Sequence, residues 1–300
     1  MISICSLVRN PFNFDTWIDY HKSIGISKFF LSVEDTPELK ETIDKYGDLI
    51  EAEYISMDSK DIFYDRNYWT LMNRQKIFVT KSIQRCKELS VEWLLHIDTD
   101  ELLWCGDSIL DLLVGVQSDV DYILIKNYEA VYSSDDLENP FLQTNTFISS
   151  DMTAYNSGKS MGRISSNLEF RGPHAFHGKQ HNIETKKAVV LHFESATFEK
   201  WFDKFNNTSS YSDIQEMKEY IIDDVKNEIK EVCHCNRLPC ANCGFVPITF
   251  YRDSSRLVKS GDLKKCREYY NKMKVSRYNP HTWKLYWTPL LIDKNSHWVR

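Results

Sequence analysis

Apolar positions in the first third of the chain switch repeatedly between short unbroken runs and helical spacing. Ile2 to Val8 is a run of β-formers that ends at Arg9-Asn10-Pro11, which predicts a buried strand and a turn. Asn13 or Asp15 then offers a cap to a helix carrying Trp17, Tyr20, His21 and Ile24, stopped by Gly25. Lys28 to Val33 predicts a second strand. Thr36-Pro37-Glu38 supplies the cap, first-turn proline and early acid of a second helix reaching about Tyr46, and Leu49 to Ile55 a third strand. After the aromatic stretch DIFYDRNYW, Leu71 to Leu89 has helical spacing through Ile77, Phe78, Ile83 and Cys86. Trp93 to Ile97 predicts a fourth strand, and a short helix through Ile109, Leu112 and Leu113 leads to a fifth at Tyr122 to Ile125.

Strands alternating with helices predict an α/β fold, a mainly parallel sheet covered on both faces. Ligands of such sheets bind beyond the carboxyl ends of the strands. Farther on, residues 129 to 171 are polar and turn-rich with shorter β-like pieces, and Ala188 to Phe193 predicts a last strand. FNNTSSYS resembles a linker, and Ser212 opens a helix with a capping box to Gln215 and an apolar face of Ile214, Met217, Ile221, Val225 and Ile229. This predicts a domain over 1–205 and a mostly helical C-terminal extension over 206–300.

With 42% hydrophobic and 13% aromatic residues, the chain can build a core, which excludes disorder. A net charge of −6 is the wrong sign for coating phosphates, so no nucleic-acid partner is expected. The charge is uneven: residues 251–300 hold 12 Lys/Arg against four Asp/Glu, or +8, leaving −14 for the rest. No apolar run approaches the ~20 residues of a membrane span. The N-terminus lacks a basic start and reads as a strand rather than a secretion signal, so a cytoplasmic protein is expected. Cys5, Cys86 and Cys105 lie among apolar neighbours, as buried thiols do. Cys233, Cys235, Cys240 and Cys243 fall within eleven residues and suit a structural Zn²⁺ in a reducing compartment, or thiols or disulfides otherwise.

The most informative residues are Asp98, Asp100 and Glu101, which follow the fourth strand. Carboxylates at i and i+2 on a strand point the same way and can share one hard cation, Mn²⁺ or Mg²⁺, completed by substrate phosphates. An EF-hand is excluded because its glycine position holds Leu103. The motif also resembles the nucleophile strand of haloacid-dehalogenase-type phosphatases, which would make Asp98 a nucleophile, but those carry Thr or Val where this chain has Leu102.

Three strand-helix units before an Asp-x-Asp near residue 100 resemble the GT-A glycosyltransferases, in which a Rossmann-like half binds the nucleotide. The stretch VRNPFNFDTWIDYHKSIGISKFF is similar to the opening of family 2 and family 92 type sequences, with Trp17, Tyr20, His21 and Gly25 in step and Pro11 in place of the usual glutamate. That departure leaves a catalytically inactive nucleotide- or sugar-binding module as an alternative. The resemblance implies a nucleotide role for Arg9 and Asn10, and for Glu34 and Asp35 near the base. It matches Gln75 to a glutamine of the helix before the motif, and Gly158-Lys159-Ser160 with Arg163 to a segment facing the diphosphate. Helix packing remains the simpler role for Trp17, Tyr20 and His21.

A neutral imidazole can add a third ligand to two carboxylates, and His192, at the end of an apolar strand, is the first candidate, with His174 second. An inverting transfer, which the resemblance implies, needs a general base; Glu129 and then Glu194 are favoured among Asp135, Asp136 and Glu169. Taken together, the expectation is a metal-dependent hexosyl- or pentosyltransferase acting between a UDP- or GDP-sugar and a hydroxyl of a glycan, protein or lipid-linked acceptor. The basic end is expected to fold back over the sheet edge and supply cations there.

Overall fold

The computed structural model describes residues 1–56, 68–106, 108–149, 157–165, 167–207, 254, 256–275, 285–287, 291–292 and 298–299. The expected linker, the helix beginning at Ser212 and Cys233, Cys235, Cys240 and Cys243 lie outside them.

Strands β1 (Ile2–Val8), β2 (Lys28–Glu34), β3 (Ile50–Ile55) and β4 (Trp93–His96) form the parallel half of the main sheet, in the order β4-β1-β2-β3. Strands β1, β2 and β4 are buried on both faces, which is why their sequences read as mostly apolar runs, whereas β3 at the sheet edge is half-buried and leaves Tyr54 exposed. On one face, Ile4, Phe29, Leu31 and Leu95 pack with Trp17 and Ile18 of helix α1 (Phe14–Ser23) and Ile43 of α2 (Leu39–Asp44). On the other, Cys5, Phe30 and Leu94 meet Phe78, Val79 and Ile83 of α3 (Tyr68–Glu88). Cys5, Cys86 and Cys105 are buried as expected.

Two expected caps are used otherwise. Asn13 adopts a left-handed conformation before α1 and makes no side-chain cap. The Thr36 hydroxyl donates to the Glu34 carbonyl and accepts from the Asn10 amide, so it ties β2 to the turn after β1 instead of capping α2.

Strand β5 (Glu101–Trp104) follows the acidic motif directly. Beyond β4 the main sheet continues with β9 (Lys159–Arg163), antiparallel, then β6 (Tyr122–Ile125) and β12 (Gln180–Asn182). A second sheet runs β14-β8-β7-β13-β5, built from β7 (Asn127–Ala130), β8 (Thr146–Ser149), β13 (Val189–His192) and β14 (Leu285–Trp287). The hairpin of β10 (Phe170–Gly172) and β11 (Ala175–Phe176) adds Phe170 and Phe176 to the core beside α3. In the second sheet, α4 (Pro140–Gln143) places Phe141 against Phe193. Helices α5 (Phe198–Asn207) and α6 (Leu263–Lys274) pack through Phe198, Trp201, Phe205, Cys266 and Tyr270. No helix among the described residues is long and apolar enough to cross a membrane.

Strand β5 lies at the edge of its sheet, and an uncovered edge leaves backbone groups unpaired. Three side chains of α1 answer them: Trp17 donates to the Glu101 carbonyl at 2.8 Å, the Tyr20 hydroxyl donates to Leu103 at 2.9 Å, and His21 Nε2 accepts from the Leu103 amide at 3.2 Å. His21 Nδ1 donates to the Trp17 carbonyl, so the ring must be neutral with its proton on Nδ1. Packing is thus the role of these residues, and what they pack is the strand leaving the acidic motif.

Burial lowers the pKa of His21 to about 3, and burial followed by the charge of Lys159 lowers His96 to about 4 and His174 to about 3. These rings are neutral when folded and titrate near 6.5 when unfolded, so between those values the unfolded chain binds more protons. Their contribution is complete above pH 6.5 and is lost as pH falls toward 3. Urea midpoints should therefore drop steadily from pH 7 to pH 4.5. His21→Gln should remove one proton from that slope, about 1.4 kcal/mol per pH unit, and an unchanged slope in the variant would contradict this account.

Candidate active site

The carboxyl ends of β1, β2 and β4 open on one edge, and the chain crosses it at Asp98-Thr99-Asp100. Here the expectation of two carboxylates on one strand face is not met. The motif is a turn between β4 and β5, closed by the Glu101 amide donating to the Asp98 carbonyl and the Asp98 amide donating to Glu101 Oε2 at 2.8 Å. A turn breaks the two-residue alternation, and the two aspartates diverge.

Asp98 meets Lys159 Nζ at 2.5 Å, and Lys159 also lies 3.4 Å from Glu101. Burial would raise the Asp98 carboxyl, but Lys159 outweighs it and holds it well below the usual carboxylate range. Burial pushes Glu101 up to about 7 despite Lys159. Lys159 itself is 1% exposed and belongs to a strand, so it is an internal partner of the acidic turn rather than a cation on a closing loop. Gly158 is required for a related reason: at φ +69 a Cβ would sit 2.2 Å from the Ile125 carbonyl oxygen.

Asp100 turns the other way. Strands β5, β13 and β7 set Glu101, His192 and Glu129 side by side in register. His192 Nδ1 donates to Glu129 at 2.8 Å, which aims Nε2 at Asp100, 3.6 Å away, and Glu194, 3.8 Å away. Ligand atoms of Asp100, His192 and Glu194 all lie within 4.8 Å of one another. Burial opposes protonation of His192, but Glu129 and Asp100 outweigh it and raise its pKa well above the ordinary value. Glu129 is 1% exposed and also accepts from Asn127. Glu194 is gripped by Lys204 of α5 through both oxygens at 2.8 Å and accepts from the Ser195 hydroxyl. Burial alone would raise this carboxyl, but Lys204 and His192 take it down to about 2.

With the geometry in view, the chain can be set beside known proteins. The profile of glycosyltransferase family 92 matches residues 2–233. The chain belongs to glycosyltransferase family 92. Two glycosyltransferase-like proteins of Arabidopsis thaliana are 27% and 25% identical to it, each over 61% of this chain. The chain spans about half the length of these curated relatives, 51% and 44%. Among solved structures, HddC from Yersinia pseudotuberculosis is similar with a TM-score of 0.34 and 12% identity, covering 68% of this chain and 97% of that one. TarS 1–349 from S. aureus has a TM-score of 0.38 and 10% identity, covering 92% of this chain and 88% of that one.

Membership in family 92 disfavours the phosphatase reading of Asp98. In this family-92 chain the remaining candidates are spread along the edge. Arg9, half-buried, and Asn10, exposed, follow β1, and the Asn10 carbonyl accepts from Lys200 at 3.1 Å. Asp35 follows β2 in a left-handed conformation, its amide donating to Ile55. Its neighbour Glu34 is committed to a buried two-pronged pair with Arg74 of α3, at 2.7 and 3.2 Å. Gln75, adjacent to Arg74, is buried. Arg163 is not brought to the site: it sits at the other end of β9, over the Trp93 ring, donating to the Val120 and Gln117 carbonyls. His174 also stays apart from the Asp100 cluster, with Nδ1 at the Gly158 carbonyl.

Sequence reasoning missed Asn127, Tyr132 and Lys274. The Tyr132 hydroxyl donates to the Glu194 carbonyl, and Lys274 is buried beside Tyr132 at the end of α6. Asn127 donates to Glu129 and accepts from the Gly158 amide, and no local pattern marks Tyr132 and Lys274, because each gains its role from a segment far along the chain.

Proposed function

We propose that the chain is a metal-dependent glycosyltransferase that moves a sugar, with inversion, from a UDP- or GDP-sugar to a hydroxyl of a glycan, protein or lipid-linked acceptor. The observation that carries the reading is the convergence of Asp100, His192 and Glu194 at the sheet edge, with His192 oriented by Glu129. A carboxylate behind a ligating imidazole is a common feature of metal sites, since it fixes the tautomer and the ring. One imidazole and two carboxylates suit Mn²⁺, while an all-oxygen set would suit Mg²⁺ better. When bound, the ion offsets charge on the departing diphosphate.

The chain's own groups divide the remaining work. Asp98 is held by Lys159 and keeps the turn closed, so Asp100 is the residue of the motif that the turn offers to an ion. We assign Glu129 to orienting His192 and Glu194 to the ion rather than to proton transfer, because both are buried and committed to positively charged or donor groups. Arg9, Asn10 and Asp35 line the same edge at the ends of β1 and β2, where a nucleotide would lie.

A thermal-shift screen of nucleotide sugars with and without Mn²⁺ tests this. A cognate donor at 100 times its Kd adds about 2.7 kcal/mol of apparent stability, and the shift is expected only with Mn²⁺ present. Absence of any nucleotide-dependent shift would sink the reading, and retained anomeric configuration in the product would sink the inversion.

A further inference from the structure

Among the described residues, the acidic turn and strands β5, β7 and β13 gather Asp98, Asp100, Glu101, Glu129 and Glu194, and Lys159, Lys204 and Lys274 stand against them. Lys159 is taken up by Asp98 and Glu101. The other two come from helices beyond the strands. Lys204 of α5 reaches both oxygens of Glu194, with its ammonium end partly in solvent at 38% exposure. Lys274 is the last residue of α6, 41 positions past the end of the family match (274 − 233), yet it is buried. Its Nζ lies 5.6 Å from the centre of the Tyr132 ring. The same tyrosine donates its hydroxyl to the Glu194 carbonyl and its amide to the Lys274 carbonyl. Burial lowers the pKa of Lys274, and Glu129 and Glu194, with Asp100, are the acids that oppose this and favour its charge. Tyr270 of α6 fastens the helix there by donating to the Ser195 carbonyl at 2.9 Å.

A lysine at the end of a helix ordinarily extends its ammonium into water, and burying it costs several kcal/mol unless nearby anions answer it. Here α6 delivers a cation to the place where a divalent ion would also be attracted. We infer that Lys204 and Lys274 are internal counter-cations of the metal site: they hold its carboxylates together without an ion and set its affinity for divalent cations. The inference rests on the metal reading above, and it predicts an effect of unusual sign. Removing a merely structural lysine would loosen the ligands and weaken metal binding. Removing a counter-cation leaves uncompensated negative charge and tightens it.

The test is a Mn²⁺ titration of the full chain, followed by the electron paramagnetic resonance signal of free Mn²⁺, on the unaltered protein and on Lys274→Met, Lys204→Met and Lys204→Arg. Each methionine variant is expected to bind Mn²⁺ at least about fivefold more tightly, as loss of a nearby unit charge in a partly buried site implies. Lys204→Arg, which keeps the charge, should stay close to the unaltered protein. Without metal both methionine variants should melt lower, and Mn²⁺ should raise their melting temperatures by more than it raises the parent's. Should Lys274→Met fail to fold, the partly exposed Lys204→Met carries the test. Mn²⁺ binding by the parent with equal or weaker affinity in the methionine variants overturns the counter-cation role alone. No Mn²⁺ binding by any of the proteins overturns the metal reading and this inference with it.

Discussion

Asp100→Asn is expected to weaken Mn²⁺ binding by more than tenfold and to lower sugar transfer by about 100-fold or more, with little change in melting temperature. A metal site loses roughly 10- to 100-fold when even an outer partner is removed, and Asp100 is the proposed direct ligand, with His192 and Glu194 beside it. The ion's effect on a leaving diphosphate amounts to several kcal/mol, which sets the scale of the rate loss. Asn keeps the shape of the turn, so the fold has little reason to respond. Asp98→Asn should behave in the opposite way. It strips Lys159 of its nearest anion in a nearly dry environment, so stability should fall while metal affinity changes less. Isothermal titration and melting curves on the two variants separate these outcomes. If Asp98→Asn costs more metal affinity than Asp100→Asn, the division of labour within the motif is wrong.

Arg74→Met should be strongly destabilising, at about 3–5 kcal/mol, because it leaves Glu34 at the end of β2 as an uncompensated buried charge. The pair is 5% and 3% exposed and joins α3 to the end of β2 through two hydrogen bonds. Replacing both partners, as in Glu34→Leu with Arg74→Met, should recover much of that loss, since a buried ion pair exchanged for packed apolar groups is often close to neutral. Urea unfolding of the two single variants and the double variant checks this, and additive losses would show that the pair is not an isolated buried charge couple. The same geometry explains why Glu34, beside Asp35 in the sequence, is not available to a ligand.

Strands β1, β2 and β4 were legible because burial on both faces writes itself as mostly apolar runs, and α3 because Phe78, Ile83 and Cys86 recur at helical spacing. The antiparallel insertion was not. Residues 129–171 read as polar and turn-rich with short β-like pieces, and nothing in them placed Lys159–Arg163 in the middle of the main sheet between β4 and β6. Its lysine is among the least exposed in the chain, and nothing local distinguishes a lysine that will be buried against Asp98 from one in solvent. The caps failed for a similar reason: the Thr36 hydroxyl has a tertiary claimant in the Asn10 amide that local rules do not see.

What the sequence by itself determined is the fold class and the family. Alternating strands and helices, an acidic motif after the fourth strand and the order of loose motifs downstream pointed to a glycosyltransferase, and the family match agrees. Its charge asymmetry, +8 over the last fifty residues against −14 elsewhere, is also plain from the chain. Only the tertiary structure decided how those charges meet. It separates Asp98 from Asp100, turns His192 toward Asp100 through Glu129, moves Arg163 to the far end of its strand and buries Lys274 of the basic end beside Tyr132, near the acidic edge. The physical reason is that spacing along a chain specifies which faces are apolar, whereas the partner of a buried charge is chosen by whichever distant segment is folded against it.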